Sequence, residues 1–356
     1  MIKKSIDLVD EQALKYIAAG GAVLGAGGGG DPYVGRLMAM QEIRKTKPVR
    51  VIDIDELDDD DFVLPIAMVG APTVMLEKFP SGNEIPKLVA MMEQIVGKKV
   101  RAIMCIEAGG LNSVIPFIAA AQMDLPIIDG DGMGRAFPEI QMVSFTLAGI
   151  KATPFALMDD KGNGATFDTI DNSWTERLVR VLAMEMGGSV MSSMYPMSAK
   201  QCKSSLVRGS LSLAHDIGKM MSEHGADACQ LMAETYNGIH LFQGRVRDVE
   251  RKIEGGWQHG VVKLEGIGDF RNREVSLEFK NEFLIAKEGK KVLATTPDLI
   301  TLLDAFTGQP VTTELVKYGL PVNVLGLPCD PIWRTPAGIE LSGPKYFGYD
   351  VEYSPI

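Results

Sequence analysis

The chain has 356 residues, 46% of them hydrophobic and 23% charged, enough to bury a large core in about two domains. Its 46 acidic residues outnumber 36 basic ones, for a net charge of -10, so nucleic acid and anionic membrane are excluded as partners by simple repulsion. Met1 to Glu11 is charged throughout, and no later segment reaches the roughly 18 apolar residues of a spanning helix, so a cytoplasmic protein is expected.

In chain order, Asp10 to Ala19 is an amphipathic helical pattern, and Ala22 to Leu24 reads as a brief strand entering a glycine cluster: Gly25, then Gly27, Gly28, Gly29 and Gly30. Asp31 and Pro32 read as an N-cap and first helical residue, opening a helix that runs to about Lys45. Strand and helix patterns then alternate: Val49 to Asp55, the apolar run from Phe62, a helix from Ile85 to Val96, a strand from Val100, a helix from Val114 to Met123, and a strand and turn from Leu125. This implies an α/β architecture with a mostly parallel sheet covered on both faces. Four turns rich in small residues (Gly25 to Gly30, Gly70 to Pro72, Glu107 to Gly110, Asp129 to Gly134) are expected to meet at the carboxyl edge of that sheet, where ligands bind.

Beyond Asp168 the pattern turns helical, over Trp174 to Met186 and Leu206 to His224. It then becomes a series of strands from Gly244 to Leu327, with a hairpin turn at Glu288-Gly289. The expected domains are residues 1–168, α/β with the glycine loop, and 169–356, helical and then β-rich. Trp257-Gln258-His259 and the aromatic tail from Tyr346 to Tyr353 are candidates to cap the site or to form a subunit interface.

Gly25, Gly27 and Gly30 fit G-x-G-x-x-G, and Asp53 lies at the distance of a ribose-binding acid, but any five-glycine cluster meets that spacing. A Walker loop fails because no Lys-Ser or Lys-Thr follows. Two readings stand. In one the loop cradles an anionic or carbonyl-bearing guest with backbone N–H groups; in the other it is a tight crossing that needs positive φ and close packing. Asp31, occupying some of those donors, speaks against phosphate.

Asp129, Asp131, Arg135 and Glu139 fall within eleven positions, and Glu107 follows a neighbouring strand beside Gly109 and Gly110. Carboxylates at this density suit proton transfer or a hard cation, so a divalent metal is open as a cofactor; the competing reading is turn-forming hydrogen bonds. His215, His224, His240 and His259 lack ligand spacing, and no G-x-S-x-G elbow is present. The cysteines, 105, 202, 229 and 329, show no C-x-x-C pair and read as reduced packing residues, with Cys329 alone placed where reactivity is worth testing. The 20 methionines read as core filler.

Together "GAGGGGDPYVGR", "IEAGGLNS", "LPIIDGDGMGRAFPEIQM", "ATTPDLITLLD" and "LPCDPIWRTPAGIELSGPKYFGYD" resemble, in the same order and over nearly the whole chain, the S-methyl-thiohydantoin desulfurase-like family, formerly a domain of unknown function. The resemblance implies an α/β domain followed by a β-rich one, a setting beside hydantoinase and oxoprolinase-type enzymes, and action on a five-membered cyclic ureide or its thio analogue. The leading expectation is a hydrolase that attacks C2 of an S-substituted thiohydantoin or related hydantoin. Asp129, Asp131 and Glu107 would be base, acid or metal ligand, Arg135 would orient the ring, and Gly27, Gly28, Gly29, Gly30, Asp31, Gly109, Gly110 and Asn112 would bind it. The alternatives are a metabolite- or nucleotide-binding protein without turnover and an NAD-dependent oxidoreductase. A small-molecule substrate is expected, with a homo-oligomer or a hydantoinase-type subunit as partner.

Overall fold

The computed structural model describes residues 4–70, 74, 82–254 and 257–356. Its first part contains β1 (Leu8–Val9), α1 (Glu11–Leu24), α2 (Tyr33–Lys45), β2 (Val49–Ile52), β3 (Phe62–Gly70), α3 (Glu84–Val96), β4 (Val100–Cys105), α4 (Ile115–Met123), β5 (Ile127–Ile128), β6 (Gly130–Asp131), α5 (Ser144–Leu147), β7 (Phe155–Met158) and β8 (Gly164–Phe167). Then come α6 (Asn172–Glu185), β9 (Ser189–Ser193), β10 (Met197–Ser198), α7 (Ala199–Ser205), β11 (Val207–Arg208), α8 (Ser210–His224) and α9 (Ala228–Thr235). The last part holds β12 (Ile239–Glu254), β13 (Trp257–Gly266), β14 (Glu274–Lys280), β15 (Glu282–Glu288), β16 (Lys291–Thr295), β17 (Leu299–Asp304), β18 (Pro310–Val311), β19 (Pro321–Leu327) and α10 (Pro336–Ser342).

The first sheet has the order β1-β2-β5-β4-β3-β9-β7-β8. Its centre, β2, β5, β4 and β3, is parallel, and antiparallel strands extend it on both sides, giving a mixed sheet. β3 is apolar throughout and buried along nearly its whole length, as a strand with both faces covered must be. The second sheet, β16-β15-β14-β13-β12-β19-β17-β18, is wholly antiparallel, and β14 alternates buried and half-buried residues because only one face meets a core. Phe242, Leu277, Phe279, Phe283 and Val324 fill that core. Residues 172–236 pack with the first sheet, to which β9 belongs, and Trp333, near the end of the chain, is also buried in the first core. Among the described residues no helix is long and apolar enough to cross a membrane.

One expected element is overturned. Ala22 to Leu24 is not a strand, because α1 begins with Asp10 accepting from the Gln12 and Ala13 amides and continues through Leu24. A glycine pair inside a helix ordinarily weakens it, but here α1 crosses α8 so closely that a Cβ on Gly20 would lie 1.8 Å from the Ala214 carbonyl oxygen, and one on Gly218 1.9 Å from that of Tyr16. The glycine cluster therefore follows a helix, and the dinucleotide fingerprint loses the strand it requires. The expected α2 is present, with Asp31 accepting from the Tyr33 amide one position earlier than an N-cap at Pro32.

The loop itself is the seam between the two sheets. Ala26, Gly27, Gly29 and Gly30 all have positive φ. The Ala26 carbonyl accepts from Phe283, that of Gly27 from Thr313 and that of Gly29 from Leu111, so chain from both units closes on this backbone. A Cβ on Gly27 would meet the Phe283 ring at 2.5 Å, and one on Gly28 the Glu282 carboxylate at 2.2 Å. The close-packing requirement thus accounts for most of the cluster.

Candidate functional site

Where the carboxyl ends of β3 and β4 meet this seam, a cavity of about 90 Å³ opens. All four predicted turns reach its wall, through Gly29, Gly70, Glu107 with Asn112, and Met133 with Glu139; Ala71 and Pro72 lie outside the described residues. The β14–β15 turn of the second sheet supplies the remaining wall with Asn281 and Glu282. The volume is small against the roughly 300–1,000 Å³ of sites for drug-sized ligands.

Two glutamates dominate it. Glu107 follows β4, and its Oε1 accepts from Asn112 Nδ2 at 2.8 Å. Asn112 is fixed in turn by the backbone of Met68 in β3, accepting from its N–H at 2.8 Å and donating to its carbonyl at 3.2 Å. Burial raises the Glu107 carboxyl well above the usual range, and the charges of Glu282 and Asp131 raise it further despite the Asn112 hydrogen bond. Glu282 opens β15 directly after Asn281, whose positive φ makes the tight turn. Burial pushes its carboxyl up to about 7, against its own amide, the positive charge of Arg135 and the Gly29 amide. Oε2 of Glu107 and Oε2 of Glu282 are both buried with no hydrogen-bond partner in the protein. A buried carboxylate oxygen left without a donor costs about 1–3 kcal/mol or more, so two on one cavity mark a place built for something other than stability.

The rim is cationic and aromatic. Glu139 accepts from Lys280 Nζ (2.6 Å), Tyr346 OH (2.7 Å) and Gln141 Nε2 (2.6 Å). Burial raises its carboxyl, but these bonds outweigh burial and hold it below the ordinary range. Lys280 lies 4.1 Å above the Trp257 ring, with the Arg180 guanidinium 5.1 Å from it, and Trp257 Nε1 donates to the Pro138 carbonyl at 3.2 Å. Trp257 and Tyr346 thus both meet the segment that walls the cavity.

The other predicted catalytic residues do not reach the cavity, and each has an evident structural task. Asp131 Oδ2 accepts from Ala108 N at 2.5 Å and Oδ1 from Gly134 N at 2.8 Å, which shapes the turns on either side of Glu107. Asp129 accepts from Ser212 N at 3.0 Å and Ser212 Oγ at 2.6 Å, serving from a distant strand as the cap of α8. Arg135 is fully buried and donates to the carbonyls of Pro297 (2.6 Å), Asp298 (2.8 Å) and Ala136 (2.9 Å), tying the two units together. Burial lowers its pKa to about 10, so it remains charged at neutral pH.

Of the predicted binding residues, Gly29 and Asn112 line the cavity, whereas Gly27, Gly28, Gly30, Asp31, Gly109 and Gly110 do not. Gly110 has φ +56, and a Cβ there would lie 2.4 Å from Gly29, so these two backbones are in contact and leave no room for a guest between them. Asp53 caps the short 54–56 helix and pairs with Arg208 at 3.2 Å, which removes the ribose-binding role the NAD reading gave it. Cys329 is buried, its thiol pushed up to about 12 by burial and by Asp298, which disfavours the thiolate. Among the described residues no group of three or more His, Cys, Asp or Glu side chains is placed to hold a metal ion. Glu282 is the residue that sequence reasoning missed. Its signal was Asn281, a turn-forming residue breaking the strand pattern, with an acid beside it at the head of the apolar run Phe283 to Ala286.

Comparison with known proteins gives two matches that together span almost the whole chain: the S-Me-THD-like N-terminal domain over residues 12–169 and the S-Me-THD-like C-terminal domain over residues 170–356. No curated protein matches. A crystal structure of a protein from Chromobacterium violaceum is similar over 99% of this chain and 100% of that one, with 25% identity and a TM-score of 0.82.

Proposed function

The chain belongs to the S-Me-THD-like family, and we propose that it is a hydrolase of a small cyclic ureide, acting at C2 of an S-substituted thiohydantoin with Glu107 and Glu282 as its proton-transfer pair. The observation that carries this reading is the pair of partnerless carboxylate oxygens, one from each sheet unit, on a single cavity of ring-scale volume. Both carboxyls are raised, one to about 7 and the other well above its usual range. The mechanism takes Glu282 as the member that ionises and Glu107 as the member that keeps its proton, the assignment the two variants below test.

In this mechanism ionised Glu282 takes a proton from water, whose oxygen attacks C2 of the S–C2=N unit. Protonated Glu107 hydrogen-bonds the ring nitrogen and protonates it as charge builds there. The tetrahedral intermediate passes its hydroxyl proton back to Glu107 and expels the thiolate, which takes the proton held by Glu282. The sum is water plus thioimidate giving ring carbonyl, N–H and free thiol, with both glutamates restored. Thiolate is a stable enough leaving group that no further acid is needed.

The test is release of free thiol from a 2-methylthio-hydantoin by the full chain, compared with Glu282→Gln and Glu107→Gln. Turnover by the wild type and its loss in both variants supports the proposal; full activity in either variant overturns the assignment.

A further inference from the structure

α6 is an amphipathic helix with apolar residues on both sides. Its inner face, Thr175, Glu176, Val179 and Ala183, is buried. Its outer face presents Trp174, Leu178, Val181 and Met184 to solvent at the 4-3-3 spacing of one helical stripe, and Ile170, just ahead of the helix, is exposed as well. Val181 is 63% and Met184 65% exposed. Single exposed apolar residues need no explanation, but a continuous stripe of four does.

We propose that this face is the contact between two copies of the chain, joined about a two-fold axis at Val181. The reason for choosing a second copy is that the stripe and its charges complement themselves. When two α6 helices run antiparallel with Val181 against Val181, Leu178 faces Met184 and Arg177 faces Glu185, and symmetry forms each pair twice. Arg177 and Glu185 are the exposed charges flanking the stripe on this helix, and they have opposite sign at equal distance from the axis. Trp174 then passes the end of the opposing helix, over Gly187 and Gly188, which offer no side chain to obstruct an indole ring. A foreign partner would place no such constraint on the sign or spacing of these charges.

The inner face of the same helix carries Glu176, which accepts from the Ile140 amide at 2.8 Å, and Arg180 at the cavity rim, so the contact lies directly behind the site. The inference nevertheless stands apart from the hydrolase reading, because its test measures mass.

Sedimentation equilibrium of the full chain is expected to give twice the 38.6 kDa of one copy. Val181→Arg sets like charges against each other on the axis and should sediment as a monomer; because the position is exposed, its circular dichroism should match the wild type, while its melting temperature loses the contribution of association. Arg177→Glu should weaken the dimer roughly tenfold, with Arg177→Glu/Glu185→Arg restoring it, since only the reversed pair recovers the match. A wild type that is monomeric at tens of micromolar overturns the proposal. So does a dimer that Val181→Arg leaves intact, or an Arg177→Glu defect that the double reversal fails to rescue.

Discussion

Two pairs of buried acids, Asp129 with Asp131 and Glu107 with Glu282, differ in a way that titration alone would not disclose. Asp131 and Glu282 are both pushed by burial to about 7. Yet Asp131 has a backbone donor on each oxygen, and Asp129 is held by both the amide and the hydroxyl of Ser212. Glu107 and Glu282 each keep one buried oxygen with no donor, and both residues line the cavity. The first pair has its oxygens satisfied, and the second does not. A raised carboxyl marks burial; an unfilled hydrogen-bonding position beside a cavity marks a site.

Breaking each pair separately tests this contrast. The largest effect is expected on turnover: Glu282→Gln or Glu107→Gln should lower thiol release by about 10²–10⁴-fold, as loss of a general base or acid does, while Asp131→Asn keeps activity per folded molecule. Stopped-flow thiol assays on protein corrected for folded fraction decide it.

Next in size is stability, where the two pairs should respond with opposite sign. A Glu282 carboxyl that holds its proton to about 7, against 4.5 in the unfolded chain, supports the fold fully below the lower value and loses that support as pH rises through the upper one. Glu282→Gln keeps an uncharged group there, so above pH 7 it should exceed the wild type by up to about 3 kcal/mol, with the gap closing toward pH 4.5. Asp131→Asn turns an NH2 donor toward one of the two buried N–H groups that Asp131 now accepts from and should destabilise by about 2–3 kcal/mol despite the same raised pKa. Urea unfolding at pH 5 and pH 8 separates these outcomes.

The pH profile sharpens the contrast further. kcat/KM should rise as Glu282 ionises through about 7 and fall on the alkaline side as Glu107 loses its proton. Glu282→Gln should abolish the acid limb, and Asp131→Asn should leave it in place. The smallest effect belongs to Asn112→Ala, which frees Glu107 from its tie to Met68; a loss of about tenfold in kcat with little change in KM is expected for a positioning group.

Much of the first unit was legible from sequence because the signals are local. The apolar run of β3, the amphipathic α3 and the apolar α4 appear where expected. The error at Ala22 to Leu24 came from reading Gly20-Gly21 as a helix end. Gly20 serves a crossing with α8, which begins 186 residues after Leu24 (210 − 24), and Gly21 a close approach to Ser113, and no local pattern reports such contacts. Glu107 and Asn112 were legible at the site as residues at a strand's carboxyl end, whereas Glu282 lies 175 positions beyond Glu107 (282 − 107).

Sequence by itself determined most of the strand and helix segments of the first unit, the likeness to a family, and the crowding of acids near one edge of the sheet. Tertiary structure alone decided which buried acids have both oxygens supplied with donors and which keep one without. That choice depends on whether a donor comes within about 3 Å of each oxygen, and the donors come from segments far apart in the chain.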